Sequence, residues 1–142
     1  MKKWFIAIVI LFLSPSLFAQ TAKNDTTMGK VYFLRNTGLG TSMKRFHAFI
    51  DDELVCKVDE KTYSIHLVKP GKHFFTVQRD GKKAKQKNKE IDFKVEAGKS
   101  YYIQINVQSD LVTYNVSCQE VTENTANKMI PNLRLLKDCD AD

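Results

Sequence analysis

The sequence has few of the residues that mark non-globular chains. It has only six glycines and three prolines among 142 residues, so it is not collagen-like. Hydrophobic residues make up 43% and charged residues 27%, a balance that excludes a disordered chain. The length fits a single domain with one hydrophobic core.

Long apolar runs are absent except at the start of the chain. A run of ten apolar residues occupies positions 4–13, directly after Lys2 and Lys3, and Ser14-Pro15-Ser16 then interrupts it before Ala19. This order is typical of a secretory signal peptide, whereas a membrane-spanning helix needs about 20 apolar residues. No cysteine follows the run closely, which argues against a lipid anchor.

We therefore expect residues 1–19 to be cleaved, residues 20–28 to form a flexible leader and residues 29–142 to form one domain. Loss of Lys2 and Lys3 lowers the formal net charge from +6 to +4. The expected location is the periplasm or the extracellular space, with no transmembrane segment after cleavage.

Alternation with a period of two dominates the chain from residue 29 onward and predicts β-strands. The strands are predicted at residues 31–35, 46–50, 54–58, 63–68, 73–77, 91–95, 101–108 and 112–118. Turns at Pro70-Gly71 and at residues 97–99 are too short for crossover helices, so we expect antiparallel pairing. One apolar face per strand favours two packed sheets. The predicted fold is all-β, an antiparallel β-sandwich of about eight strands.

The end of the chain changes to helical spacing. Thr122 is a suitable N-cap for a short helix from Glu123 to Met129, which Pro131 would end. Residues 133–136 are expected to lie extended along the sandwich, followed by an acidic tail.

Three cysteines remain after cleavage, and export favours disulfide formation. Cys118 and Cys139 are the preferred pair, because a bridge closing a loop of roughly 20 residues would tie the tail to the last strand. Cys56–Cys118 is the rival pair, since both residues fall on predicted inward positions. Three unpaired thiols are the remaining alternative.

Four segments in order resemble a known family of small exported bacterial domains. They are a Val-Tyr-x-x-Arg strand at residues 31–35, a hairpin at 49–55, a Pro-Gly-x-His turn at 70–73, and an Ala-Gly-Lys turn with a tyrosine pair within 93–102. Over roughly residues 29–136 the chain is similar to domain-of-unknown-function family 2846. The resemblance implies a β-sandwich and a location in the bacterial cell envelope. It implies no catalytic residues. Asp52 departs from the family's usual glycine, and Cys56 and Cys139 lie outside its pattern.

Motifs of common catalytic sites are missing. Gly98-Lys99-Ser100 resembles the end of a phosphate-binding P-loop. Phe93, however, occupies the position of that motif's first glycine, and a predicted strand follows where the motif requires a helix. The sequence contains no Gly-x-Ser-x-Gly nucleophile elbow. We therefore predict no enzyme activity, no catalytic residue and no cofactor.

The three histidines fall on separate predicted strands. Metal sites on strands use alternate residues or facing strands, so His47, His66 and His73 predict no metal site. We expect His73 to be partly buried and hydrogen-bonded beside the Pro-Gly turn. His47 and His66 are expected on the surface.

The most unusual feature is the basic segment of residues 79–89. The segment contains one acidic residue, Asp80, and six cationic residues: Arg79, Lys82, Lys83, Lys85, Lys87 and Lys89. Such a segment can bind lipid headgroups, lipopolysaccharide or another polyanion. It has no interleaved aromatic residues for base stacking, so nucleic acid is not an expected partner. Alternatively, it is a solvated hairpin whose lysines discourage edge-to-edge strand pairing.

Together these features predict an exported, non-catalytic binding or scaffolding module of the bacterial cell envelope. Its partner would be an envelope protein or a surface polyanion. The alternative function is a polyanion or membrane-surface binder acting through the basic segment. A thiol-dependent enzyme and an apolar-ligand carrier are the remaining hypotheses.

Overall fold

A computed structural model of the protein describes residues 27–37, 45–81, 90–109 and 114–139. The predicted signal peptide, most of the predicted leader and most of the basic segment lie outside these residues. The strands are β1 (Gly29–Arg35), β2 (Phe46–Ile50), β3 (Glu53–Val58), β4 (Thr62–Val68), β5 (Gly71–Gln78), β6 (Ile91–Val95), β7 (Ser100–Ser109), β8 (Tyr114–Val121) and β9 (Arg134–Leu135). Helix α1 (Glu123–Met129) and a single 3₁₀ turn (Ile130–Asn132) lie between β8 and β9.

The strands form two sheets that pack face to face, which confirms the predicted β-sandwich. The five-stranded sheet has the order β8-β7-β1-β4-β9, and the four-stranded sheet has the order β3-β2-β5-β6. Inward side chains of both sheets interdigitate in one core. Its fully buried members include Val31, Phe33, Phe46, Ala48, Val58, Phe75, Val77 and Ile103.

Two strand pairs are parallel, so the expectation of entirely antiparallel sheets is wrong. β1 pairs with β7, and β4 pairs with β9, in parallel. The partners in each pair are separated by several other elements, and a short turn therefore does not dictate their relative direction.

The two short turns expected within hairpins instead connect the two sheets. Pro70 lies between β4 and β5, and residues 96–99 lie between β6 and β7. The start of β1 fixes the second turn, because Gly98 N donates to Met28 O at 2.9 Å and Lys30 N donates to Lys99 O at 2.8 Å. Gly29 is required there, since a Cβ atom would collide with the Val95 side chain.

The turn between β2 and β3 uses two aspartates in the left-handed region. Asp51 has φ 50° and Asp52 has φ 68°. Two successive positive φ values are the requirement of a type I′ hairpin turn, and aspartate tolerates this region better than most residues. The hairpin therefore forms with Asp52 at the position where the resemblance leads us to expect glycine.

Helix α1 covers part of the outer face of the five-stranded sheet. Its predicted bounds are confirmed, and Thr125 N donates to the Thr122 side chain at the predicted N-cap. Ala126 is fully buried against Leu34 and Tyr102 in a second apolar cluster. In the part of the chain that the structure describes, no helix is long and apolar enough to cross a membrane.

Arg35 is the largest fully buried side chain, and it links the two sheets at one end of the sandwich. From β1, its Nη1 donates to Val58 O on β3 at 2.8 Å, and its guanidinium carbon lies 4.1 Å from the centre of the Phe46 ring on β2. Burial lowers the pKa of Arg35, while the nearby Glu60 and Asp59 raise it. Arginine nevertheless stays charged in proteins, so this end of the core holds a cation.

We expect Arg35→Met to lower the free energy of unfolding by about 3 kcal/mol, because it removes the cation–π contact and leaves the buried Val58 carbonyl without that donor. The matched control is Arg45→Met. Arg45 pairs with Asp59 at 3.1 Å, but both side chains are exposed, so its loss should cost less than about 1 kcal/mol. Urea unfolding of the two variants measures the difference, and equal losses would contradict the role of Arg35.

Candidate functional site

The C-terminal strap, residues 133–139, closes part of the open side of the sandwich. It leaves α1 on the outer face of the five-stranded sheet and pairs with β4. Arg134 N donates to Lys61 O at 2.9 Å, and Leu136 N donates to Tyr63 O at 2.8 Å. Leu136 and Cys139 then pack against the main core. The strap therefore passes around the edge of β4 and enters the gap between the sheets.

A disulfide between Cys56 and Cys139 fixes the end of the strap to β3. This pairing corrects the preferred Cys118–Cys139 bridge and its rival Cys56–Cys118. The strap pairs along the edge of β4 and ends beside β3. Cys118 faces the core from β8, which is at the opposite edge of the five-stranded sheet.

Cys118 is the free cysteine of the described residues, and it is buried in the core. It is 7% exposed, and its Sγ donates to Phe75 O at 3.6 Å. Burial raises its pKa to about 12. The thiol is therefore protonated at neutral pH, whereas thiol chemistry needs the thiolate.

The inner face of β4 begins with three polar residues, Thr62, Ser64 and His66, before the buried Val68, whereas the apolar Ile65 and Leu67 lie on the outer face. Thr62 and Ser64 are buried on this face, and His66 follows them in the same row. The Thr62 hydroxyl donates to Asp59 O at 2.7 Å, and Ser64 Oγ lies 2.9 Å from His66 Nε2. These hydrogen bonds satisfy the polar row.

His66 is half-buried rather than on the surface, so its sequence prediction is wrong. Its ring meets Phe33 edge-on, with 5.7 Å between the ring centres. Burial lowers the pKa of His66 to about 4, so the imidazole is neutral at neutral pH. A ring nitrogen of His66 and the sulfur atoms of Cys56 and Cys139 all lie within 4.8 Å of one another.

Past Tyr63, the edge of β4 has no partner strand among the described residues. The carbonyls of Lys61 and Tyr63 face β9, and backbone groups of alternate residues point to the same side of a strand. The N–H and C=O groups of Ile65 and Leu67 therefore face the open edge. Their side chains lie on the outer face of the sheet and are 40% and 52% exposed.

A surface groove of about 540 Å³ follows this open edge. Leu67 and His66 border it from β4, and Val55 and Glu53 border it from β3. The β2–β3 pairing shifts register beside Val55, a bulge that interrupts the edge of β3. The groove therefore lies where an open strand edge and a bulged strand edge meet.

Hydrogen bonds of His73 fix one end of the groove, and its predicted role beside the Pro-Gly turn is confirmed. His73 Nδ1 lies 2.6 Å from Asp51 Oδ2, and Nε2 lies 2.8 Å from Lys69 O. Asp51 Oδ1 also accepts from Phe74 N at 3.0 Å. The β4–β5 connection is thereby tied to the β2–β3 turn.

Of the remaining histidines and cations singled out from the sequence, the described residues His47 and Arg79 do not line this groove. His47 is also half-buried rather than on the surface, so its sequence prediction is wrong, and its Nδ1 lies 2.7 Å from Gly81 O. Arg79 pairs with Asp80 at 3.2 Å. The five lysines of the basic segment lie outside the described residues.

Sequence reasoning missed the Cys56–His66–Cys139 cluster because its members come from three elements, β3, β4 and the strap. One sequence signal could have placed His66 in the cluster. Thr62, Ser64 and His66 occupy alternate positions, which indicates that they share one face of β4. The apolar Ile65 and Leu67 pointed to the opposite face as the inner one.

A family model described as "Protein of unknown function (DUF2846)" matches residues 25–117. The chain belongs to this family. The DUF2846 match contains β1 to β7, Cys56, His66 and the groove edge of β4, and it ends before α1, the strap and Cys139. It is therefore shorter than the resemblance over residues 29–136. No curated protein matches the chain.

We expect Cys139→Ser to lower the free energy of unfolding by about 3 to 4 kcal/mol, because the bridge spans 83 residues of sequence. The control is Cys118→Ala, which should cost about 1 kcal/mol because it removes only a small buried side chain. Non-reducing digestion should link the Cys56 and Cys139 peptides, and thiol labelling should miss Cys118 until denaturation. A Cys118–Cys139 peptide would contradict the assignment.

Proposed function

We propose that the protein is an exported, non-catalytic binding module of the bacterial cell envelope that holds an extended peptide segment of a partner protein. The observation that carries the proposal is the edge of β4 past Tyr63, which has no partner strand among the described residues and coincides with two exposed apolar side chains and a groove. The peptide would pair with the edge at residues 64–68 and extend the five-stranded sheet.

The backbone of β4 supports this mode of binding. Its edge already accepts one extended segment, β9, through hydrogen bonds to the carbonyls of Lys61 and Tyr63. Ile65 and Leu67 present the same groups in the same direction past the point where the strap leaves. Strand addition of this kind derives affinity from backbone bonds and specificity from pockets for alternate side chains.

The side chains around the edge favour a peptide with alternating apolar residues. Ile65 and Leu67 provide an apolar strip on the outer face, and Val55 lies across the groove. Glu53 and Lys69 add charges of both signs along its length. A strand whose alternate side chains are apolar would cover the strip and place its other side chains towards the groove.

The disulfide supports the exported location. Disulfides persist mainly in oxidising compartments, and the bridge between Cys56 and Cys139 accompanies an N-terminal segment with the order of a signal peptide. The buried, protonated Cys118 supports a non-catalytic role for the remaining thiol.

The test is selection of decapeptides from a random displayed library against the mature protein. We expect enriched peptides with alternating apolar residues. The double variant Ile65→Thr with Leu67→Thr should weaken their binding at least about tenfold, since the apolar strip is lost. N-methylation of every second peptide nitrogen should also abolish binding, because it removes backbone donors.

The matched control is Phe74→Thr, which removes an exposed apolar side chain from β5 in the other sheet. Its affinity for the selected peptides should stay within about twofold of the wild type. The proposal fails if no peptide is enriched, or if the double variant binds the peptides as well as Phe74→Thr does.

The basic segment supports a second candidate function, binding of a polyanion or an anionic membrane surface. β5 ends at Gln78, β6 begins at Ile91, and the two strands are antiparallel neighbours. The segment of sequence that connects them contains six cationic residues within positions 79–89. Such clustering gives a local positive potential that a uniform distribution of the same charges would not.

Binding to heparin and to anionic vesicles at increasing salt tests this candidate. Changing lysines 82, 83, 85, 87 and 89 to glutamine should weaken binding at low salt at least about tenfold. The control variant changes five exposed lysines elsewhere to glutamine, at positions 30, 61, 94, 128 and 137. Equal losses in both variants, or no binding by the wild type at low salt, would exclude the segment as a specific site.

A further inference from the structure

Cys56, His66 and Cys139 bring together three atoms of the kinds that bind metal ions. Two of these atoms, the sulfurs, are joined to each other in the disulfide. The two sulfur atoms and a ring nitrogen lie within 4.8 Å of one another. Cys56 is buried, and the other two residues are half-buried. The surrounding side chains orient the imidazole, since Ser64 Oγ lies 2.9 Å from Nε2 and Phe33 lies against the ring.

We propose that these three residues form a redox-gated zinc site. While the disulfide is closed, both sulfurs are consumed in the S–S bond and the cluster binds no ion. When the bridge is reduced, the two thiolates and the imidazole bind Zn²⁺. This site adjoins the groove through His66, but its test measures zinc binding alone and does not depend on peptide binding.

The donor set matches the chemistry of zinc. Thiolate sulfur and neutral imidazole nitrogen are its common protein ligands, at about 2.3 Å and about 2.0 Å from the metal. Three protein ligands leave one position of a tetrahedral ion for water or another ligand. His66 borders the groove, which provides access to that position.

Opening of the bridge requires only a local movement of the strap. Two sulfurs bound to one tetrahedral zinc ion lie about 3.8 Å apart, since each is about 2.3 Å from the metal. Cys139 lies three residues beyond Leu136, whose N–H bond to Tyr63 O anchors the strap. The sulfur of Cys139 can therefore move away from Cys56 while β9 stays paired with β4.

The gating step is thiol–disulfide exchange with a dithiol reductant. The dithiol transfers two electrons and two protons to the Cys56–Cys139 bond, yields two cysteine thiols, and itself becomes a disulfide. Zn²⁺ then displaces one proton from each thiol as the Zn–S bonds form. Reoxidation of the two cysteines by a disulfide reverses the sequence and releases the ion.

The experiment measures zinc binding by the mature Cys118→Ala protein, in which Cys56 and Cys139 are the remaining cysteines. A phosphine reduces the bridge, becomes the phosphine oxide, and is removed before titration with Zn²⁺ against a chromophoric chelator. We expect one ion per reduced chain with a Kd below about 1 μM, and no binding by the oxidised chain.

Two variants assign the ligands. In the reduced state, His66→Gln should raise the Kd at least about tenfold, and Cys139→Ser should raise it more, because a thiolate is lost. Lys69→Gln is the control, since it changes a groove residue outside the cluster, and its Kd should match that of the parent. The proposal is overturned if the reduced parent binds no zinc, if the oxidised parent binds it equally well, or if His66→Gln leaves the Kd unchanged.

Amide NMR spectra recorded during the titration decide the outcome if the reduced chain loses its fold. Zinc must then restore the native spectrum of the parent, because metal affinity becomes coupled to folding. It must fail to do so for His66→Gln at the same concentration. Restoration of both spectra, or of neither, contradicts the site.

Discussion

The C-terminal strap and its disulfide hold together the side of the sandwich on which both candidate sites lie. Backbone hydrogen bonds connect strands within each sheet, but facing sheets are held mainly by side-chain packing. The strap adds a continuous connection: backbone bonds to Lys61 and Tyr63 at the start of β4, then a covalent bond to β3. Because it pairs with only two residues of β4, it closes one part of this side and leaves the groove beside the rest.

The residues that carry the family resemblance have clear structural roles. Arg35 bridges β1 to β2 and β3 inside the core, and His73 ties the Pro-Gly turn to Asp51. The tyrosine pair divides between the faces of β7. Tyr101 stacks on Phe93 in the core, and Tyr102 packs with Leu34 under α1. The motifs therefore specify how the two sheets are joined. This structural role explains why the motifs predicted the fold but did not indicate a functional site.

Strand positions could be predicted from the sequence because period-two alternation is local. The choice between the two faces is not local. In β4, Ile65 and Leu67 suggested the inner face, yet Thr62, Ser64 and His66 occupy it, because hydrogen bonds satisfy the polar row. The parallel β1–β7 pair and the Cys56–Cys139 bridge could not be predicted from the sequence, for a related reason. Both depend on how separated segments meet in space, which short turns and residue spacing do not encode.

Alternation in β4 places two different chemistries on one strand. Ile65 and Leu67 present backbone groups to the open edge and side chains to the outer face, whereas His66 between them turns inward to the two sulfurs. The two sites also differ in what they require from the chain. The groove is built mainly from β3 and β4, within the residues that match the family, but the cluster needs Cys139, beyond the end of that match. A DUF2846 chain without an equivalent strap would therefore retain the open strand edge and lack the third zinc ligand. In this chain, the proposed peptide-binding edge therefore lies within the residues that match the family, and the proposed zinc site depends on the strap beyond them.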